Sequence, residues 1–272
     1  MNTDEHINIT KFNLLSSLQN IVNRNDEDDT DFVIARYLLI HLREIKKISI
    51  YTVAEECFTS RSSVQRFIKT LGYDSFTELK EYADSAISHQ TRFISYTDRV
   101  NFGEYLKNGI EAMIPDIEKA CSAPSFRKLV TRLHEAENII VLTAEDSSAA
   151  LPTFQQEFLS VGKLIRIFTS ANCDLDLLRR MTKSDLLLVC SVTGNFAIAV
   201  NDDIRPLQVY KALLTLNTTT LFENSYDLIH YMGSDAAVNS RSLIASKNVY
   251  TIYGVFYFFD LLFHEYFLHY GQ

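Results

Sequence analysis

The feature that most narrows the possible folds is a change of pattern near residue 137. Beyond it come four short runs, NIIVLTA (138–144), KLIRIFT (163–169), DLLLVCSV (185–192) and ALLTLNT (212–218), all β-rich and almost continuously apolar. A strand with one face in water alternates apolar and polar residues. One without alternation is covered on both faces, as in a parallel sheet. The segments between the runs, 147–161, 171–182 and 199–210, are long enough for crossover helices. Right-handed βαβ units then predict a central parallel sheet flanked by helices.

Upstream the periodicity is helical. Residues 7–22 predict an opening helix, the acidic cluster NDEDDTD at 25–31 a capped turn, and 32–42 a second helix burying Phe32, Ala35, Leu39 and Leu42. A further helix is expected over 74–90, and helical periodicity returns over 104–136, with Pro124 in the first turn of the helix that runs to Leu133. The fold class is therefore an all-helical head followed by an α/β domain. The expected division is a head over residues 1–88, a polar linker over 89–105, and the second domain over 106–272.

Within the head, residues 49–82 carry the chemistry. Val53, Ala54 and Cys57 share one face of a short helix, and Val64, Phe67, Ile68 and Leu71 share one face of the next. Ser60 is placed to cap the second helix, and Gly72 to stop it. Its solvent face then holds Arg61, Ser62, Ser63, Gln65, Arg66 and Lys69, cations and hydroxyls suited to phosphates, with Arg66 or Gln65 able to reach base edges. No carboxylate interrupts the stretch from Ser60 to Tyr73.

This segment resembles the N-terminal helix-turn-helix of the RpiR family of bacterial transcriptional regulators. The matching positions are Thr52, Val53, Ser60, Ser63, Val64, Arg66, Phe67, Lys69, Leu71, Gly72, Tyr73, Ser75, Phe76, Glu78, Leu79 and Lys80. The resemblance implies a double-stranded DNA operator as partner, with Thr52 and Ser60 joining the contact set. The second half resembles the sugar-isomerase (SIS) domain that follows the helix-turn-helix in such regulators. Its landmarks are Ser147-Ser148 after the first strand, Gly162 before the second, and Ser191-Val192-Thr193-Gly194-Asn195 after the third, similar to a phosphosugar loop. Ser147, Ser148, Ser191, Thr193, Gly194 and Asn195 are the implied ligand-binding residues, and a sugar phosphate or related anion the implied effector. A hydroxyl-bearing loop at the end of a parallel strand, followed by a helix start, offers donors and a favourable dipole to an anion; the same hydroxyls can equally serve as helix caps.

The chain departs from the family pattern at the first loop. The SIS turn there is glycine-rich, whereas this sequence reads Thr143-Ala144-Glu145-Asp146-Ser147. Side chains obstruct close backbone approach, and two carboxylates repel a phosphate dianion. The second loop is altered as well, by Asn195 and Phe196. Either the ligand differs from the usual phosphosugar, or the domain is a ligand-blind dimer scaffold.

Composition bounds these readings. A chain of 272 residues, 47% of them hydrophobic, is long enough for two cored domains. A net charge of -8 argues against indiscriminate nucleic-acid binding and leaves room for a local basic face. Cys57, Cys121, Cys173 and Cys190 are widely spaced without a CxxC pair, which fits reduced thiols in the cytoplasm rather than a disulfide framework or zinc site. The polar, acidic start lacks a secretory pattern, and the run from Val249 to Phe263 is too short to span a membrane and is interrupted by Asp260. No membrane partner, cofactor or metal is expected.

An alternative is a sugar-phosphate isomerase with an accessory helical domain. Glu157, His230, His264 and Glu265 could supply acid–base chemistry, yet no spacing marks a pair, and His264 to His269 is not HExxH. No catalytic residue is assigned. The C-terminal aromatic run, with Tyr253, Phe256, Tyr257, Phe259, Phe263, Tyr266, Phe267 and Tyr270, is apolar nearly all round. It serves as a buried core helix or as the surface of a homodimer or higher oligomer, the latter suiting paired half-site reading.

Overall fold

The computed structural model describes residues 14–98, 100–144, 149–169, 172–233 and 249–271. They form two compact units whose boundary falls between Ser95 and Tyr96.

The first unit is helical: α1 (Leu14–Arg24), α2 (Thr30–Ile40), a 3-10 turn (Leu42–Lys47), α3 (Ile50–Glu56), α4 (Arg61–Thr70) and α5 (Phe76–Thr97). Asp29 ends the acidic turn and caps α2 by accepting from the Asp31 N–H at 2.7 Å. The buried face of α2 is Ile34, Ala35 and Leu38, continued by Leu42, while Phe32 and Leu39 are only half-buried. The expected stripe was thus rotated. Residues 32–40 are apolar nearly all round, so periodicity alone cannot choose the phase, and packing on Leu14 and Leu18 of α1 does. Leu18, Leu38, Val53, Val64, Phe67, Ile68 and Leu79 complete one core.

The polar stretch 89–105, expected as a linker, is helical through Thr97 and again from Phe102. Neither glycine nor proline occurs between Gly72 and Gly103, so nothing in this Ser/Thr-rich segment breaks α5.

The second unit opens with α6 (Phe102–Cys121) and α7 (Pro124–Glu135), the latter with Pro124 in its first turn as anticipated. Five strands follow, β1 (Ile139–Thr143), β2 (Ile165–Thr169), β3 (Leu186–Cys190), β4 (Tyr210–Thr215) and β5 (Leu228–Tyr231). All pairings are parallel, in the order β2-β1-β3-β4-β5. Every residue of β1 and β3 is buried, whereas the edge strand β2 is partly open. β5 was not anticipated: it is a four-residue edge strand, LIHY, too short and too polar to stand out from a loop.

The crossovers contain α8 (Leu151–Ser160), α9 (Leu175–Arg180) and the short pair α10 (Asn195–Ala199) and α11 (Asn201–Ile204). A π-helical turn (Tyr250–Gly254) leads into α12 (Val255–Tyr270). α12 is chiefly a core helix. Phe258 meets Phe126 at 5.8 Å between ring centres, Phe259 meets Phe154 at 4.5 Å, and Tyr266 meets Phe158 at 4.6 Å. Phe256, Phe267 and Leu268 remain exposed on it, and Tyr253 on the π-helical turn before it. No helix among the described residues is long and apolar enough to cross a membrane.

Candidate functional site: a helix-turn-helix face and a strand-end loop

In the head, α3 and α4 fold as the pattern required. Val53, Ala54 and Cys57 are buried against Val64, Phe67, Ile68 and Leu71. Burial away from water, with Glu56 nearby, pushes the Cys57 thiol up to about 11, so it is an inert packing group. Ser60 caps α4, its Oγ accepting from the Ser63 N–H at 3.1 Å and lying 2.7 Å from Ser62 Oγ and 3.0 Å from Ser63 Oγ. α4 ends on Gly72, whose φ of 87° lets the chain reverse.

The face left in solvent is basic. Arg61, Ser62, Arg66 and Lys69 are exposed, and Ser63 is half-buried. Gln65 lies on the same helix, but its Nε2 donates to the Asp74 carbonyl at 2.9 Å and so ties α4 to the turn that follows it. Thr52 is half-buried at the start of α3, where its N–H donates to Ser49 Oγ at 3.0 Å and its hydroxyl lies 2.8 Å from the same oxygen. Tyr51 was not singled out from the sequence. Its ring lies 4.3 Å from the Arg61 guanidinium, fixing that cation at the open end of α4. No local pattern marks such a pair, because the two residues meet across a turn.

In the second unit the strand-end loop after β3 is built from internal hydrogen bonds. Ser191, 3% exposed, accepts from the Ala197 N–H at 3.1 Å through Oγ. The Gly194 N–H donates to the Ser191 carbonyl at 2.9 Å, and the Asn195 N–H reaches Thr193 Oγ1 at 3.4 Å. Asn217, after β4, clamps the loop: its Nδ2 donates to the Thr193 carbonyl at 3.1 Å and its Oδ1 accepts from the Thr219 N–H at 3.0 Å. Gly194 adopts φ +80°, and a Cβ there would sit 2.6 Å from both Asn217 Cβ and Nδ2. Ser191, Thr193, Gly194 and Asn195 are therefore brought together, and the hydroxyls of Ser191 and Thr193 act as caps within the loop. Thr143, where the SIS pattern has glycine, is fully buried and donates to the Cys190 carbonyl at 3.0 Å. Its side chain bonds the neighbouring strand. Ser147 and Ser148, with Glu145 and Asp146, lie outside the described residues.

Residues 12–90 match the model of the rpiR-family helix-turn-helix domain. The chain is 23% identical over 228 residues to the uncharacterised HTH-type transcriptional regulator YfhH of Escherichia coli K12, covering 79% of this chain and 81% of that protein. It is 23% identical over 184 residues to the HTH-type transcriptional regulator GlvR of Bacillus subtilis 168, covering 65% of this chain and 67% of that one. Residues 12–90 thus form an rpiR-family helix-turn-helix domain. Among solved structures, the Vibrio vulnificus NanR protein complexed with ManNAc-6P aligns over 95% of this chain and 93% of its own, at 18% identity and a TM-score of 0.47.

The acid–base candidates sit on three separate elements, Glu157 on α8, His230 on β5, and His264 and Glu265 on α12. His230 is buried on β5, its Nδ1 2.9 Å from Ser125 Oγ and its ring between Phe126 and Phe258. Burial brings its pKa down to about 4, so it is neutral at physiological pH. Glu157 is held on α8, with burial and the nearby Asp260 raising its pKa. His264 is exposed on α12. Among the described residues no group of three His, Cys, Asp or Glu side chains could hold a metal ion.

Proposed function

We propose that this chain is a non-enzymatic, cytoplasmic transcriptional regulator of RpiR type, a homodimer that reads an operator of two half-sites with paired α4 helices. Its α/β domain answers to a small anionic effector of the sugar-phosphate class, linking transcription to carbohydrate metabolism. The observation that carries the DNA reading is the uninterrupted basic and hydroxyl face of a capped α4, on a chain whose overall charge is -8. Arg61, Ser62, Ser63 and Lys69 meet phosphates, and Arg66 is the base-reading candidate; Thr52 and Ser60 contribute at the helix starts. Gln65 acts chiefly through the turn it holds. The exposed residues of the π-helical turn and α12, Tyr253, Phe256, Phe267 and Leu268, are the candidate subunit contact.

The DNA reading is tested by the salt dependence of affinity. Replacing Lys69 with Ala removes one phosphate contact and should lower the slope of log K against log [salt] by about 1 while weakening all sequences alike. Replacing Arg66 with Ala should relax sequence preference. Unchanged affinity and slope in both variants would refute the assignment.

One observation favours a second reading of the α/β domain. The N–H groups of Gly194, Asn195 and Ala197 are already bonded inside the loop. An effector held by these N–H groups must open their bonds, and a ligand-blind scaffold keeps them. Thermal denaturation with a panel of sugar phosphates separates the two, since a ligand at 100 times its Kd stabilises by about 2.7 kcal/mol. A shift abolished by Ser191→Ala supports the sensor; no shift with any compound supports the scaffold.

A further inference from the structure

Phe58 occupies a place in the helix-turn-helix that the folding of the head does not explain. α3 ends in a Schellman cap: the Phe58 N–H donates to the Glu55 carbonyl at 3.1 Å and the Thr59 N–H to the Ala54 carbonyl at 2.9 Å. The residue at the centre of such a cap takes a left-handed conformation, which glycine adopts freely and a residue with a Cβ resists. The same cap closes α4 on Gly72, at φ 87°, and α8 on Gly162, at φ 76°. At the end of α3 the position is filled by phenylalanine, at φ 49°. Its ring gains nothing from the interior, for the residue is 98% exposed.

An aromatic ring held in water on a strained backbone stabilises neither the cap nor the core. Its position is more informative. It stands two residues ahead of Ser60, the cap of α4, at the end of that helix where Arg61 is steadied by Tyr51. A helix whose N-terminal residues enter the major groove brings the turn before it to the groove edge. There, the apolar feature a phenyl ring can meet is the C5-methyl of thymine.

We infer that Phe58 is a specificity-determining side chain that packs on a thymine methyl at the edge of each half-site. This rests on the reading of the head as a DNA-binding unit. The ring is then exposed because its partner is the operator, and glycine is absent because it has no side chain to make the contact.

The experiment starts with the full-length chain selecting from a random-sequence duplex pool. Each thymine of the selected consensus is then replaced by deoxyuridine, which deletes the methyl alone, and affinities are measured by fluorescence anisotropy for wild type, Phe58→Gly and Phe58→Ala. One thymine should be distinguished: its replacement weakens wild type about fivefold, less than loss of a bidentate base contact, and leaves both variants unaffected. Phe58→Gly should raise the melting temperature of the head, so its weaker binding is not a folding defect. The inference is overturned if the variants keep wild-type affinity and thymine preference, or if Phe58→Gly alters only the oligomeric state, which would assign the ring to a protein contact. Failure of the wild type to enrich any sequence instead overturns the DNA reading on which the inference stands.

Discussion

Replacing Gly194 by Ala tests how the strand-end loop is held. Two costs are separable. An L-residue at φ +80° carries about 1–2 kcal/mol of left-handed strain. The added Cβ also falls 2.6 Å from Asn217 Cβ, at the root of that side chain, so the conflict is not relieved by a rotamer change and Asn217 must move bodily. That movement breaks its bonds to the Thr193 carbonyl and the Thr219 N–H, each worth about 1 kcal/mol net. The sum is about 3–4 kcal/mol, read as a lowered midpoint in urea denaturation followed by a signal from the α/β domain. A double-mutant cycle isolates the second cost. In an Asn217→Gly background the clash and the clamp are both gone, and Gly194→Ala should cost only about 1–2 kcal/mol, the strain alone. Equal losses in both backgrounds would refute the clamp, and a loss under about 1 kcal/mol in the wild-type background would refute the conformation of Gly194 itself.

Two further outcomes follow from the same geometry. Ser60→Ala removes the cap of α4 and should destabilise the head by about 1 kcal/mol, seen as faster amide exchange in the first turn of α4; unchanged exchange would mean that the Ser60–Ser63 bond contributes nothing. For His230, the folded state prefers the neutral ring, with a pKa near 4 against an ordinary 6.5. The unfolded chain therefore binds the extra proton between those values, and stability present in full above about pH 6.5 falls as the pH drops toward 4, by roughly 3 kcal/mol at the limit. Denaturation midpoints at pH 7.5 and 4.5 measure this, and His230→Gln should shrink the difference by about that amount; an unchanged difference would show that another group is responsible.

Much of the head was legible because its signals are local. The stripes Val53-Ala54-Cys57 and Val64-Phe67-Ile68-Leu71, the Ser60 cap and the Gly72 stop each depend on residues within a turn or two of one another, and each is found as read. The phase of α2 was not legible, because nearly every face of residues 32–40 is apolar and only contact with α1 selects Ile34 and Leu38. The strand-end loop divides in the same way. Ser191, Thr193, Gly194 and Asn195 fall within five consecutive residues and were found together, whereas Asn217 closes the loop from beyond the next strand. Thr143, read as an obstruction to a ligand, donates to the carbonyl of Cys190 on β3.

The sequence by itself determined most of the helices and four of the five parallel strands, which helix carries the basic face, and which family pattern the head follows. Hydrophobic period, capping chemistry and charge are properties of neighbours along the chain, and they act before any long-range contact is made. Tertiary structure alone decided that Gln65 holds a turn, that Tyr51 steadies Arg61, that His230 is a buried neutral ring, and that LIHY becomes a strand. Each of these depends on a partner brought close by folding from beyond its own turn or strand, such as the meeting of His230 with Ser125. A side chain's role is set by what surrounds it in space, and that environment exists only once the strands have paired and the helices have packed.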